Sequence, residues 1–304
     1  MTPRLSGLHH VTAIAGDPQT NVDFYAGTLG LRLVKVTVNF DDPGTYHLYY
    51  GDGTGAPGTI LTFFPWPGAT KGRLGAGQVA STALSVPEGS LPFWQERIAG
   101  AVPRDSGLIF LDPDGMPLEL REVAGDQRPG WTGGPIPSEH AIRGLHSVEL
   151  WESRPDATRD LLERALGFSG SGARYSVGDE FSGGLIELRE SPVAERGRIS
   201  VGSVHHIAWR CADDASQLAW QGLMMERGLH VSPVMDRQYF RSIYFREPGG
   251  VLFEIATDAP GFAADEPQDA LGRTLRLPPW LRPRLDEIRR TLEPLRSPAG
   301  VSLP

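Results

Sequence analysis

Short runs of alternating apolar and polar residues recur along the chain, and four of them open the same way. The first, Leu8-His9-His10-Val11-Thr12-Ala13-Ile14, alternates as a strand does. A helical pattern over about Gln19 to Thr28 follows, and extended segments continue through Phe64. The second opens with Val79-Ala80-Ser81-Thr82-Ala83-Leu84, predicts a helix near Leu91 to Ile98 and closes on Pro113-Asp114-Gly115-Met116-Pro117-Leu118-Glu119-Leu120. The third opens with Gly144-Leu145-His146-Ser147-Val148-Glu149-Leu150 and has helical spacing over about Asp156 to Ala165. The fourth opens with Ser203-Val204-His205-His206-Ile207-Ala208-Trp209. It predicts a helix over about Ala215 to Arg227 with Gly228 as C-cap, and closes on Pro248-Gly249-Gly250-Val251-Leu252-Phe253-Glu254-Ile255.

Each unit reads strand, helix, then two or three strands, with starts roughly 60 to 70 residues apart. A half-buried sheet with one helix on its back cannot seal its other face alone. Four βαβββ repeats of an α+β fold therefore pair into two cups. The expected division is an N-terminal domain over 1–125 (repeats one and two), a Gly- and Pro-rich linker over 126–143, and a C-terminal domain over 144–258 (repeats three and four). A tail over 259–304 carries an amphipathic helix from Leu281 to Leu295.

Neighbouring strand residues face opposite ways, so one His-His pair cannot put two ligands on one face of a regular strand. In the fourth repeat His205, Ile207 and Trp209 share the apolar side, which should lie against the helix, and His206 and Ala208 face the cup. In the first repeat His9, Val11 and Ala13 take the helix side, and His10 and Thr12 the cup. Glu254 falls on the cup side of an otherwise apolar strand, and Tyr244 shares that face one strand earlier with Ser242 and Arg246. Two imidazoles and one carboxylate leave about three positions open on an octahedral ion, the arrangement favoured by non-haem Fe(II) oxygenases; Mn(II) suits the same donors.

If one ion binds His10, His206 and Glu254, repeats one and four must share a cup, and repeats two and three form the other. In that second cup the same alternation offers Ala80 and Ser147 at the ligand positions and puts His146 on the apolar side. Glu119 and Glu187 have no His partner there, so it reads as a pseudo-site without metal. Taken alone, Tyr244 is as readily packing as function, and Arg237 reads as a surface or ion-pair residue.

Composition narrows the chemistry. One Cys in 304 residues excludes a disulfide framework and Cys-rich metal sites, and it points to a reducing, cytoplasmic location. A net charge of −8 argues against nucleic-acid binding. No apolar run approaches the ~20 residues of a membrane helix, and the opening residues Met1 to Leu5 lack the sections of a signal peptide. The Gly-rich run Gly51 to Gly58 lacks the Lys-Ser/Thr of a phosphate loop.

Several segments together resemble the vicinal oxygen chelate superfamily, and within it the ring-cleaving dioxygenases of the 2,6-dichlorohydroquinone 1,2-dioxygenase type. They are Leu8-His9-His10-Val11-Thr12, Tyr46-His47-Leu48-Tyr49, Gly55-Ala56-Pro57-Gly58-Thr59, Gly144-Leu145-His146-Ser147, Val204-His205-His206, Asp236-Arg237, Tyr244, Pro248 to Glu254 and Leu277-Pro278-Pro279. The resemblance spans nearly the whole chain. It implies Fe(II) held by His10, His206 and Glu254, with His9, Thr12, His205 and Arg237 around an aromatic substrate and Tyr244 beside the iron. Gln238 departs from the glycine-containing turn of that group. The implied activity is O2 insertion into a substituted hydroquinone, an aromatic diol. The implied partners are that diol and O2; a homo-oligomer is left open.

Three alternatives compete. Glyoxalase I takes a fourth protein ligand from the other paired repeat, where this chain has Phe63 near the position. Catechol extradiol dioxygenases carry a further His a little before the Tyr, where this chain has Met235, Asp236 and Arg237. Binders of the bleomycin-resistance kind are much shorter and usually lack the triad.

Overall fold

The computed structural model describes residues 3–179, 181, 183–297 and 300–303, so Met1 and Thr2 of the opening segment lie outside the described residues. Repeat one supplies β1 (Leu8–Ala15), β2 (Arg32–Asn39), β3 (Asp42–Gly51) and β4 (Ile60–Pro65). Repeat two supplies β5 (Gln78–Val86), β6 (Val102–Arg104), β7 (Gly107–Leu111) and β8 (Pro117–Glu122). Repeat three supplies β9 (Gly144–Glu152), β10 (Ser169–Ser171), β11 (Arg174–Ser176) and β12 (Leu185–Glu190). Repeat four supplies β13 (Ser203–Cys211), β14 (Met235–Asp236), β15 (Arg241–Arg246) and β16 (Leu252–Thr257).

Two eight-stranded sheets result. One runs β14-β15-β16-β13-β1-β4-β3-β2, the other β10-β11-β12-β9-β5-β8-β7-β6. Repeat four thus pairs with repeat one, and repeat three with repeat two, as a single triad site requires. The antiparallel junctions β1–β13 and β5–β9 lie at the centre of each sheet.

Each repeat sends a helix to the back of its sheet: α1 (Pro18–Val22), α2 (Leu91–Arg97), α3 (Pro155–Arg164) and α4 (Asp214–Glu226). Asp17 caps α1 by accepting from Thr20 N at 2.7 Å, and Asp213 caps α4 by accepting from Ser216 N at 2.7 Å. The first helix does not stay α-helical to Thr28. It widens into a π-helical turn over Asp23–Thr28, closed by Leu29 N donating to Phe24 O. Gly228 takes a φ of +79° behind α4, as a helix-ending glycine should. The helix sides of both sheets share one apolar core. In it Trp209 meets Phe168 edge-to-face at 5.1 Å, joining repeats three and four.

The tail departs from expectation. The apolar spacing from Leu281 to Leu295 predicts one helix, yet a 3-10 turn over Arg282–Arg284 gives way to α5 (Leu285–Thr291), which stops there. Pro294 biases the residue before it away from helix, and Leu292 is already extended. Leu281, Ile288, Leu292 and Leu295 are buried all the same, so the spacing reports burial over a stretch that is helical only in part. Upstream in the tail, Asp265 and Glu266 take hold of buried Lys35 on β2, at 2.7 and 2.5 Å. This compensated charge cluster fixes Phe262 and Leu271 against the wall of the first cup.

Both central junctions carry paired β-bulges. Leu8 pairs with Trp209 and His10 with Ala208, leaving His9 as the extra residue. Thr12 pairs with His206 and Ala13 with Val204, leaving His205 extra. In the second sheet the extra residues are Ala80 and His146. A bulge resets the alternation, which is why Leu8 and Val11 both join the helix-side core. The expectation that His9, His205 and His146 lie against the helices is therefore wrong: each turns to the cup face with the residue after it. The counterpart of His10 in the second cup is correspondingly Ser81, and Ala80 matches His9.

Candidate metal centre and substrate pocket

Two rows of side chains cross the first cup. The register sets Tyr244, Glu254, Ala208 and His10 in one row, and His206, Thr12, Thr62 and Tyr49 in the next. Where the rows meet, His10 Nε2 and His206 Nε2 are 3.3 Å apart. Glu254 Oε2 lies 3.0 Å from His206 Nε2 and 3.4 Å from His10 Nε2. Among the described residues this is the one group of three or more His, Cys, Asp or Glu whose ligand atoms converge, and all three residues are buried.

The donors fit a cation. Ser242 donates to Glu254 Oε1, while Oε2 makes no hydrogen bond; the short approach to His206 has the distance of an ion pair but not the direction of a hydrogen bond. A buried carboxylate oxygen with a bare lone pair is costly unless a cation takes it. Burial pushes Glu254 up, but the neighbouring imidazoles of His10 and His206 outweigh it and hold the carboxyl well below its usual range. Burial lowers His206, favouring the neutral imidazole that ligates metals.

The bulged histidines orient the pair. His9 Nδ1 is 2.9 Å from His10 Nδ1, and His205 Nδ1 is 2.7 Å from His206 Nδ1. An ion held between Nε2 of His10, Nε2 of His206 and Glu254 would leave both Nδ1–H groups to donate to His9 and His205, fixing ring rotation and tautomer. His9 lies behind the centre, against Phe240 at 4.9 Å. His205 opens onto the cavity, its pKa pushed down to about 3 by burial and by His206.

The cavity holds about 330 Å³ and is walled by rings, among them Phe40, Tyr49, Phe64, Trp66 and Phe240. Arg237 and Tyr244 close one side, and Arg237 Nε donates to the Tyr244 hydroxyl at 3.0 Å. Arg237 Nη1 reaches Asp41 at 3.0 Å, so the ion-pair reading and the place beside the site both hold. Burial and then Glu254 raise the Tyr244 hydroxyl, which stays protonated. Gln238 meets the turn that a glycine would make easy: it adopts a φ of +67°, and its N–H donates to Asp236 Oδ1 at 2.7 Å. Thr12 points into the cup and contacts Thr62 at 3.0 Å.

The register also corrects the fourth position. Glu254 pairs with Ala208, two residues past His206; two residues past His10 stands Thr12, which pairs with Thr62. Thr62, and not Phe63, occupies the carboxylate position of repeat one, while Phe63 joins the helix-side core. Sequence reasoning gave no role to His47, Thr62, Ser242 or Phe240. Alternation along β3 puts His47 and Tyr49 opposite the buried Tyr46, Leu48 and Tyr50, a signal that could have found the first.

Residues 7–88 and 144–255 match the family described as the Glyoxalase/Bleomycin resistance protein/Dioxygenase superfamily. The chain belongs to that superfamily. Within it, the chain is 48% identical to a Bacillus subtilis protein whose name, ring-cleaving dioxygenase MhqO, is itself provisional; the match covers 97% of this chain and 98% of that one. It is 36% identical to the chlorohydroquinone/hydroquinone 1,2-dioxygenase of Sphingobium indicum, over 95% and 96% of the two chains. A crystal structure of a provisionally named Bacillus subtilis dioxygenase superposes with a TM-score of 0.91 at 46% identity, covering 97% of this chain and 98% of that one. In superfamily terms, the paired βαβββ modules are this fold, and the His10, His206 and Glu254 cluster stands where repeats one and four face each other. No helix among the described residues is long and apolar enough to cross a membrane.

Proposed function

We propose that the chain is an Fe(II)-dependent ring-cleaving dioxygenase acting on a substituted hydroquinone. The observation that carries this reading is Thr62 at the carboxylate position of repeat one. A glyoxalase-type centre would take its fourth protein ligand there. Three donors instead leave room for both an aromatic diol and O2. The name of one relative, the chlorohydroquinone/hydroquinone 1,2-dioxygenase of Sphingobium indicum, supports hydroquinones over catechols.

His10, His206 and Glu254 would hold the metal, with His9 and His205 keeping the two ligand rings in place. Bound Fe(II) would acidify a diol hydroxyl and hold diol and O2 close together. The rings of Phe40, Phe64 and Phe240 exclude water and stack on a flat substrate. His205 is neutral at working pH. Its Nδ1 accepts from His206, so its Nε2–H faces the cavity and can donate a hydrogen bond to a substrate oxygen. The Arg237 guanidinium and the protonated Tyr244 hydroxyl stabilise negative charge developing on the substrate side. Thr12, expected beside the substrate, is fully buried against Thr62 and lies outside the cavity lining, so it would support the site from behind His206 and not touch the diol.

The test is anaerobic loading with Fe(II), then oxygen uptake on hydroquinone, methylhydroquinone, chlorohydroquinone and catechol. Uptake with the hydroquinones above catechol is expected. No uptake on any diol, together with Zn(II)- or Ni(II)-dependent isomerisation of a glutathione hemithioacetal, would overturn the reading.

A further inference from the structure

The strand order of the first sheet reads the same from either edge once repeats one and four are exchanged, so an approximate two-fold axis runs through the β1–β13 junction. The axis relates Glu254 to Thr62, and it relates their strand neighbours too. Tyr244 pairs with Glu254 across β15 and β16, and Tyr49 pairs with Thr62 across β3 and β4. Two residues before the tyrosines stand Ser242, which donates to Glu254, and His47, whose Nε2 lies 2.7 Å from Thr62 Oγ1. One half of this frame belongs to the candidate metal centre. His47 and Tyr49, in the other half, have no part in it, yet both line the cavity.

Tyr49 is held at both ends. Its ring packs on Phe262 at 5.0 Å, and its hydroxyl lies 2.8 Å from His47 Nδ1. Phe64 in turn packs on the His47 ring at 4.3 Å. Burial and then the charge of His10 lower His47, so its imidazole is neutral. Burial and then Tyr244 raise the Tyr49 hydroxyl, which stays protonated; Arg237 and Glu254 also act on it, so it looks across the cavity toward the triad. A phenol hydroxyl has one hydrogen and two lone pairs, and that of Tyr49 makes one hydrogen bond among the described residues. If it donates to His47, its oxygen can accept from a ligand; if it accepts, its hydrogen can donate to one. Whichever tautomer His47 takes, one bond remains to be made. His47 itself has both ring nitrogens engaged.

A para diol needs such a group. The two oxygens of catechol are adjacent and can share one ion, whereas those of a hydroquinone project from opposite ends of the ring and cannot. With one oxygen held at the triad, the other is carried toward walls made largely of rings, where an unpaired hydroxyl is costly. We infer that Tyr49 anchors the hydroquinone oxygen remote from the triad and that His47 is the positioning residue that aims its hydroxyl, a role that rests on the ring-cleavage reading. The remote hydroxyl both donates and accepts, so it complements Tyr49 in either orientation. Catechol makes no use of this anchor, and the cup thereby distinguishes the two diols by where the second oxygen stands.

Anaerobic titration calorimetry of the Fe(II)-loaded protein tests this without turnover. Hydroquinone should bind about tenfold more tightly than phenol, which lacks the remote hydroxyl, as one well-placed hydrogen bond would give. In Tyr49→Phe the ratio should collapse to about twofold, the statistical advantage of two equivalent hydroxyls, with the affinity for phenol unchanged. His47→Leu leaves the Tyr49 hydroxyl free to rotate, and its ratio should fall between those two, again with phenol unchanged. A Tyr49→Phe protein that keeps the tenfold ratio, or a wild type that binds the two phenols within about twofold of each other, overturns the inference. Equal weakening of phenol and hydroquinone in Tyr49→Phe overturns it too, since that is what a purely structural role would give. A full ratio in His47→Leu overturns the part assigned to His47. Oxygen uptake by the wild type decides the ring-cleavage reading separately. Preferential hydroquinone binding without uptake defeats that reading and leaves the anchor standing, and uptake without preference over phenol does the reverse.

Discussion

The two cups have the same frame and opposite chemistry. Each has a central antiparallel junction with two bulges, and each carries a carboxylate one strand away, two residues past the ligand position. In the first cup the frame presents His10, His206 and Glu254, with one carboxylate oxygen left bare. In the second, Ser81 and Ser147 stand at the His positions, and the carboxylates are saturated. Glu119 accepts from Ser81 at 2.8 Å, Arg104 at 2.9 Å and Arg121 at 2.5 Å. Arg104 also reaches Glu149 at 2.7 Å, and Arg189 reaches Glu187 at 2.6 Å. Guanidinium groups fixed to the chain do there what a diffusible cation would do in the first cup. The backbone supplies the position, and the choice between imidazole and guanidinium decides whether a metal is needed.

Removing ligands should have the largest effect. His10→Ala and Glu254→Gln should empty the first cup of iron. Turnover should fall by about three orders of magnitude, matching the several kcal/mol a metal supplies. His146→Ala in the second cup should keep both. Iron content and oxygen uptake check this, and iron retained in Glu254→Gln would break the comparison. Second in size is Arg104→Met, which leaves Glu119 and Glu149 short of a partner in the second cup. Urea unfolding should show a loss of about 2–3 kcal/mol with the iron content unchanged.

A pH effect comes next, from the corners that end β7 and β15. Asp112 accepts from the N–H groups of Asp114 and Met116, and Glu247 from those of Gly249 and Val251. The first takes its further hydrogen bond from the Tyr25 hydroxyl at 2.9 Å. The second shares the Thr158 hydroxyl with Glu152, another carboxyl. Burial and then the charge of Glu247 raise Glu152 from 4.5 to about 8. The folded chain therefore holds a proton that the unfolded chain releases, and stability should fall as pH rises from about 4.5 to about 8. Glu152→Gln should flatten that slope by on the order of 2 kcal/mol between unfolding curves at pH 5 and pH 8. An unchanged slope would show that the corner carries no extra proton. The smallest effect should come from adding ligands alone. Ser81→His with Ser147→His should leave bound iron at one per chain by elemental analysis, because Arg104 and Arg121 still occupy Glu119. A second equivalent would mean that the guanidinium groups do not decide.

Much of this was legible in the sequence. The four openings mark the repeats, and a single ligand set of His10, His206 and Glu254 requires repeat one to pair with repeat four, as the first sheet does. What alternation could not reveal was a bulge, because one extra residue leaves no mark on composition and reverses every side chain beyond it. For that reason alternation assigns His9, His205 and His146 to the wrong face, and points to Ala80 and Phe63 where the register has Ser81 and Thr62. The arginine network was invisible for another reason. Glu119 and Glu187 read as carboxylates without a His partner, and nothing in the alternation brings Arg104, Arg121 and Arg189 to them until β5 and β9 join two repeats on one face. His47 needed the same lateral information, from β3 lying beside β4 and β4 beside β1.

The pairing of the outermost repeats also orders events in time. The second sheet closes within one stretch of chain, since β5 and β9 belong to neighbouring repeats. The first must join β1 to β13, which brings together His10 and His206 across 196 residues. During synthesis the opening repeat leaves the ribosome long before its partner exists, with the inner edge of its sheet unpaired. Contacts of such sequence separation form late, and an unpaired edge invites pairing with other chains. The second sheet can be complete while the first is still half a cup, so the half that carries His10, His206 and Glu254 is the last to assemble and the most exposed to misassembly on the way.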